Sequence, residues 1–338
     1  MPKRVTLKEV AVHAGVSYQT VSKVLNKQIQ ISKPAEDRIW ESARLLGYRP
    51  NQIARSLRSQ QSKLIGYSWE PNSPDQVNPI LDQFLHSMVR AAEGAGYHIL
   101  AFPHRPGDEW LDSYREVIDT NRVDGIVISS VEFNDPRIVL LQEKIFPFVA
   151  FGRSNPGWDF PYVDVDGGAG MRLVVEYLLE KGHKRIFALA WPEDSRVGQN
   201  RMEGYLSALS QMGIEPQNDW MARGEGNYRF GMETTARWLE QPQEQRPTAI
   251  VAFNDIMAIG AMQAAQGRGL QVGKDLAITG FDDAPMVQFL SPPLTSVRQP
   301  IARIGQRVIS ILLGIMNNES SEETHVLIQP KLIIRASS

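Results

Sequence analysis

No cysteine occurs among the 338 residues, which removes disulfide frameworks, thiolate nucleophiles and cysteine-based zinc sites together. The six histidines, His13, His86, His98, His104, His183 and His325, show no HExxH or comparable ligand spacing, so no metal is expected. No apolar run approaches the ~20 residues that a membrane-spanning helix requires. The opening Met1-Pro2-Lys3-Arg4-Val5-Thr6 leads into polar helical sequence rather than an apolar signal core, and a cytoplasmic location is expected. A chain of 338 residues with 42% hydrophobic and 22% charged content is too long for one ordinary core of about 100–200 residues, so two or three domains are expected.

The formal net charge of −2 conceals a division. Residues 1–63 carry 12 Lys/Arg against 4 Asp/Glu, whereas the remainder carries 24 against 34, from totals of 36 and 38. A basic module of +8 therefore precedes an acidic body of −10. A phosphate backbone attracts the first and is repelled by the second, as in a nucleic-acid-binding headpiece, although a basic stretch alone is more often just a solvated surface.

Three short helical patterns fill the basic module. Thr6-Leu7-Lys8-Glu9 is a capping box, and Leu7, Val10, Ala11 and Ala14 follow at helical spacing until Gly15. Ser17 caps a second helix with Val21, Val24 and Leu25 inward and Tyr18, Gln19, Ser22, Lys23 and Asn26 outward. A third, with Pro34 near its start, buries Ile39, Ala43 and Leu46 and stops at Gly47. Two helices joined by a tight glycine turn, with a third completing the core, form a helix-turn-helix unit. Its second helix offers Tyr18, Gln19 and Lys23 to base edges and phosphates, with Ser17 and Ser22 nearby. A short segment from Gln52 to Ser59 carries Arg55 and Arg58 about an exposed Leu57, and Gln60 to Lys63 reads as a linker. That segment is too short for a stable isolated helix.

From Leu64 onward short apolar strands alternate with helices. Strands are expected at 64–69, 97–102, 124–129, 146–151, 185–190, 220–223, 249–252 and 276–281. Helices are expected at 79–95, 109–120, 134–144, 167–181, 196–212, 229–240 and 254–267. This βαβ rhythm implies parallel sheets covered on both faces, and about 270 residues of it suits two lobes.

Several stretches are similar to the lactose/galactose-repressor (LacI/GalR) family of transcriptional regulators. In the headpiece they are Val5 to Ala11, Gly15 to Asn26, Gly47-Tyr48-Arg49-Pro50-Asn51 and Ala54-Arg55-Ser56-Leu57. The similarity continues at Gly182-His183-Lys184-Arg185-Ile186, Arg201-Met202-Glu203-Gly204-Tyr205, Phe253-Asn254-Asp255 and Gly280-Phe281-Asp282-Asp283. Ala35-Glu36 departs from the family's usual Thr-Arg, so Glu36 is not counted as DNA-facing.

The resemblance implies an N-terminal all-α helix-turn-helix headpiece (1–50) and a hinge helix and linker (51–63). An α/β periplasmic-binding-protein-like core of two doubly wound parallel-sheet lobes would follow. The N-terminal lobe would comprise 64–162 plus 292–322 and the C-terminal lobe 163–291 plus 323–338. It implies a homodimer on a pseudo-palindromic double-stranded DNA operator, and no leucine heptad trails the chain to build a tetramer. The DNA-binding set would be Thr6, Ser17, Tyr18, Gln19, Thr20, Ser22, Lys23, Asn26, Asn51, Ala54, Arg55, Leu57 and Arg58. Tyr18 and Gln19 would read bases, and Leu57 would wedge the minor groove.

Ligands of open α/β sheets sit outside the carboxyl ends of the strands. That rule selects Trp69, Arg153, Trp191, Ser195, Tyr228, Asn254 and Asp282, with Arg201 on the helix after Trp191. Asp282 and Asn254 accept from hydroxyls, Arg201 donates, and the aromatic rings stack on an apolar sugar face. A Trp at a strand end is at least as often lobe packing. Arg153 either binds a carboxylate or phosphate on the ligand or pairs with Asp159 or Asp164. Gly167-Gly168-Ala169-Gly170 lacks the spacing of a phosphate loop, and close helix packing is its expected role. No GxSxG elbow or separated carboxylate pair points to catalysis, and no cofactor is expected. The expected function is a repressor whose operator affinity is controlled by a sugar or sugar derivative. A nucleobase corepressor is the alternative. An α/β enzyme lacks its catalytic set, and a transport binding protein would need an export signal and no basic headpiece.

Overall fold

The computed structural model describes residues 5–26, 29–49, 61–69, 78–103, 111–319 and 323–338. The chain separates into two compact units, Met1–Ser62 and Lys63–Ser338.

In the first unit α1 (Leu7–Ala14) starts where Thr6 Oγ1 accepts the Glu9 N–H and the Glu9 carboxylate accepts the Thr6 N–H at 2.7 Å. It ends at Gly15, whose φ of 64° lies in the left-handed region that a side chain resists. α2 (Tyr18–Leu25) is capped by Ser17 Oγ, which accepts the Thr20 N–H at 3.1 Å. α3 (Lys33–Leu45) closes the unit. Val10, Ala14, Val21, Val24, Leu25, Ile39 and Ala43 form the core, with Leu46 only partly buried at its edge.

The second unit holds two six-stranded sheets. The first contains β1 (Leu64–Trp69), β2 (His98–Pro103), β3 (Gly125–Ile128), β4 (Phe148–Phe151) and β5 (Tyr162–Val165). Around it lie α4 (Pro79–Gly94), α5 (Asp112–Asp119) and α6 (Pro136–Glu143). The second sheet contains β6 (Ile186–Ala190), β7 (Met221–Arg223), β8 (Ala249–Ala252), β9 (Ala277–Asp282) and β10 (Thr295–Arg298). Its helices are α7 (Gly167–Glu180), α8 (Arg196–Gln211), α9 (Tyr228–Trp238) and α10 (Asp255–Gly267). The chain then returns with α11 (Ile301–Met316), which packs on α4, adds β11 (His325–Ile328) to the first sheet and finishes the second with β12 (Lys331–Ile333). The orders are β11-β5-β4-β3-β1-β2 and β12-β10-β9-β8-β6-β7. The pairings are parallel except that of β10 with β12. The inner strands β1, β3, β4, β6, β8 and β9 are largely buried, as parallel strands covered on two faces must be.

Two expectations are corrected. The chain crosses between sheets after Val165, Arg298 and Ile328 rather than near 163, 292 and 322, because β5, β10 and β11 each complete their pairing before the chain leaves. The helix α11 is not among the helices expected from the sequence, although Ile301, Ile304, Val308, Ile311 and Leu312 follow helical spacing and are buried. The glycine run behaves as a packing device: a Cβ on Gly204 of α8 would overlap the Gly168 carbonyl of α7, so the two helix backbones touch.

Candidate functional site

In the headpiece α2 presents Tyr18, Gln19 and Lys23 to solvent. Ser17 and Thr6 are exposed, but their hydroxyls serve as helix caps, and Thr20 Oγ1 meets Ser17 Oγ at 2.8 Å. Asn26 is half-buried and its amide donates to the Ser22 carbonyl at 2.7 Å. Ser22 does not face outward: it is 6% exposed, since it stands beside Val21 and three residues before Leu25 on the flank that meets the core. Asn51, Ala54, Arg55, Leu57 and Arg58 lie outside the described residues.

In the core a cleft of ≈ 520 Å³ opens at the carboxyl ends of the strands of both sheets. Arg153, Trp191, Arg201, Tyr228, Asn254 and Asp282 line it together. Two expected members do not. Trp69 ends β1 outside the lining and is 47% exposed, and Ser195 caps α8, its Oγ accepting the Gly198 N–H at 3.2 Å. Each lies at or after the end of an expected strand, but side-chain direction decides which such residues reach the cleft.

Arg201 is buried at the centre of the second-lobe wall. Its Nη1 donates to the Phe253 carbonyl, its Nη2 lies 3.7 Å from Asp282 Oδ1, and its guanidinium covers the Phe281 ring at 3.6 Å and the Trp191 ring at 4.8 Å. The Nε has no hydrogen-bond partner among the described residues. Burial lowers its pKa to about 10, against the pull of Asp282, Asp164 and Asp255, so it stays charged at neutral pH. Burial raises Asp282 to about 6, opposed by Arg201 and by the Gln299 amide, whose Nε2 donates to Oδ1 at 2.6 Å. Asp282 has a φ of 117° and Asp283 a φ of 51°, a strained turn for two residues with side chains.

The turn is held from below by Asp255 at the start of α10. One carboxylate oxygen accepts the Ala284 N–H at 2.7 Å, and the other accepts the Ser296 hydroxyl at 2.6 Å. Ser296 Oγ in turn accepts the Asp283 N–H at 3.0 Å. Burial, with Asp282 beside it, holds Asp255 well above the ordinary carboxylate range. Asn254 caps α10 through the Met257 N–H and donates to the Gly226 carbonyl at 2.7 Å, so its amide is already engaged at both ends.

On the first-lobe wall Arg153 Nε donates to Asp164 Oδ2 at 2.7 Å, which settles its pairing in favour of Asp164; Asp159 meets His325 instead, at 3.0 Å. Arg196 reaches across from α8: its N–H donates to Glu132 Oε2 at 2.6 Å and its Nε to the Ser154 carbonyl at 2.9 Å. Burial raises the Glu132 carboxyl and lowers the Arg196 guanidinium. Arg196, Gln299 and Asp255 also belong to the site, and the sequence does not single them out. Arg196 and Gln299 follow no strand expected from the sequence, and Asp255, although next to Asn254 in its motif, has no role that the sequence alone specifies.

Residues 6–51 match the family described as bacterial regulatory proteins, lacI family, and residues 175–338 match a periplasmic binding protein-like domain. The HTH-type transcriptional repressor CytR of Escherichia coli K12 is 31% identical over 333 residues, 98% of this chain and 96% of the relative. The chain belongs to the LacI family. A LacI-family regulatory protein from Chloroflexus aggregans is 54% identical over 82% of this chain and 98% of that one, with a TM-score of 0.79. The Lac repressor dimer bound to operator and the anti-inducer ONPF superposes with a TM-score of 0.88 at 28% identity, covering 99% of each chain. This LacI-family chain is a DNA-binding transcriptional repressor with a ligand-binding domain. Among the described residues no helix is long and apolar enough to cross a membrane.

Proposed function

We propose that this repressor binds a pseudo-palindromic operator as a homodimer and releases it when a sugar or sugar derivative enters the cleft. The observation that carries the reading is the cleft wall itself, where the Arg201–Asp282 pair lies against the Trp191 and Phe281 rings. Hydrogen-bonding groups beside aromatic faces match a ligand with a hydroxyl rim and a flat apolar side. The aromatic surface of the lining comes from Trp191, Tyr228 and Phe151, while Phe281 is buried behind Arg201.

On the DNA side, exposed Tyr18, Gln19 and Lys23 would enter a major groove, with Ser17, Thr6, Thr20 and Asn26 near the backbone. One helix reads few base pairs, so a two-fold pair doubles the site. The Lac repressor dimer on its operator supports this arrangement. On the core surface Phe289, 80% exposed, and Met286, 47% exposed, offer apolar area for the partner copy.

The same rings would stack on a nucleobase, which would act as a corepressor and reverse the sign of regulation. A thermal-shift screen of the full chain against sugars and nucleobases separates the two, because a ligand that binds the native state raises the apparent stability. Stabilisation by a sugar together with weaker operator binding is expected; stabilisation by a nucleobase with tighter operator binding refutes the sugar reading. Operator affinity should fall steeply with salt, log K dropping about 0.9 for each neutralised phosphate. A flat salt response would refute the DNA-reading role of the headpiece.

A further inference from the structure

The charged side chains of the cleft are unevenly matched. Arg153 has Asp164 and Arg201 has Asp282. The Arg196 guanidinium, by contrast, forms no ion pair among the described residues; it rests 5.4 Å from the centre of the Phe133 ring and spends Nε on the Ser154 carbonyl. Ser154 follows Arg153, so that bond brings Arg196 of α8 beside Arg153 of the first lobe, and both line the cleft.

Arg153 spends Nε on Asp164, which leaves the two terminal nitrogens of each guanidinium without a hydrogen bond among the described residues. Glu132 faces the backbone N–H of Arg196 at 2.6 Å rather than its guanidinium. Two neighbouring cations with unused donors are a costly arrangement that an anion between them would relieve. Burial first, then the charge of Arg153, pushes Arg196 below the usual guanidinium value, against the pull of Asp164, Glu203 and Glu132.

We propose that Arg153 and Arg196 form an oxyanion subsite in the cleft and that the effector carries a phosphate ester there. A carboxylate is satisfied by a single guanidinium fork, whereas the three free oxygens of a phosphate ester accept from two forks at once. Because the arginines come from different lobes, the phosphate ties the lobes together, and binding of the charged end is coupled to the lobe arrangement. The proposal rests on the reading of this cleft as the effector site and narrows it to phosphorylated sugars or nucleotides.

The probe is inorganic phosphate, titrated into the full-length protein at constant ionic strength and followed by thermal shift and phosphorus NMR. Saturable binding is expected, weakened at least tenfold in R153Q and in R196Q and partly restored in R196K, which keeps the charge. Glucose 6-phosphate and ribose 5-phosphate, compared with glucose and ribose, distinguish a sugar phosphate from the free ion. No saturable phosphate binding overturns the proposal. Binding that persists in the R153Q/R196Q double variant also overturns it, since the basic headpiece would then hold the ion. Acetate binding as tightly as phosphate overturns it in favour of a carboxylate. A neutral sugar or nucleobase that stabilises the protein while phosphate does nothing would overturn the subsite and leave the cleft reading standing. Circular dichroism of each variant confirms that lost binding is not lost folding.

Discussion

Replacing Asp255 with alanine tests how the cleft carboxylate is held in place. Its two oxygens accept the Ala284 N–H at 2.7 Å and the Ser296 hydroxyl at 2.6 Å. Truncation leaves both donors buried without partners, at about 1–3 kcal/mol each. Removing a carboxylate that burial and Asp282 already disfavour in its charged form offsets part of this. A net local loss of about 2–4 kcal/mol remains, which is roughly 30- to 700-fold in an opening equilibrium. The left-handed Asp282–Asp283 turn should relax, and Asp282 should lose its aim at Arg201. Hydrogen exchange of the Ala284 amide and of β9 and β10 in the full chain measures the opening directly. Asp255→Asn, which keeps one acceptor oxygen, should fall between wild type and D255A. Less than a threefold change, or equal acceleration in both sheets, would refute this account of the turn.

Asp282 titrates near 6, so effector affinity should decline as pH falls from 7 to 5, when the carboxyl takes up its proton, and D282N should remove that dependence; a flat wild-type profile counts against Asp282 as the acceptor. For stability the sign is reversed. The folded carboxyl holds its proton more tightly than the unfolded one, so its contribution to stability falls as pH rises from about 4 to about 6 and is level above. Ser17→Ala should destabilise the headpiece by about 1 kcal/mol through loss of the α2 cap, read from its unfolding transition, while a surface change at Gln19 should not. Gly204→Ala should lower the stability of the second lobe by about 1–3 kcal/mol or more, because the new methyl meets the Gly168 carbonyl; an unchanged melting transition would mean that α7 and α8 separate freely.

The parts legible in the sequence are those whose cause is local. Thr6 and Glu9 bond to each other within one turn, Ser17 caps its own helix, and Gly15 ends α1 through its own φ, so four to ten residues contain the whole signal. Arg201 and Asp282 are legible because each sits in a motif and close to a strand end. Local signals end where tertiary packing decides. Ser22 stands on the border of two faces, and only the seating of α2 on α1 and α3 buries it. β5 and β10 carry the mixed runs Tyr162-Val163-Asp164-Val165 and Thr295-Ser296-Val297-Arg298, without the continuous apolar stretch that marks the equally short β8. Arg196 acquires its role from Glu132 and Ser154, 64 and 42 positions away, and Gln299 from Asp282 at the end of the neighbouring strand β9. A two-lobed fold places its ligand where loops distant in sequence converge. The residues that couple the lobes therefore carry the weakest local signatures, and a cleft arginine without a carboxylate partner becomes visible only once its neighbours are in place.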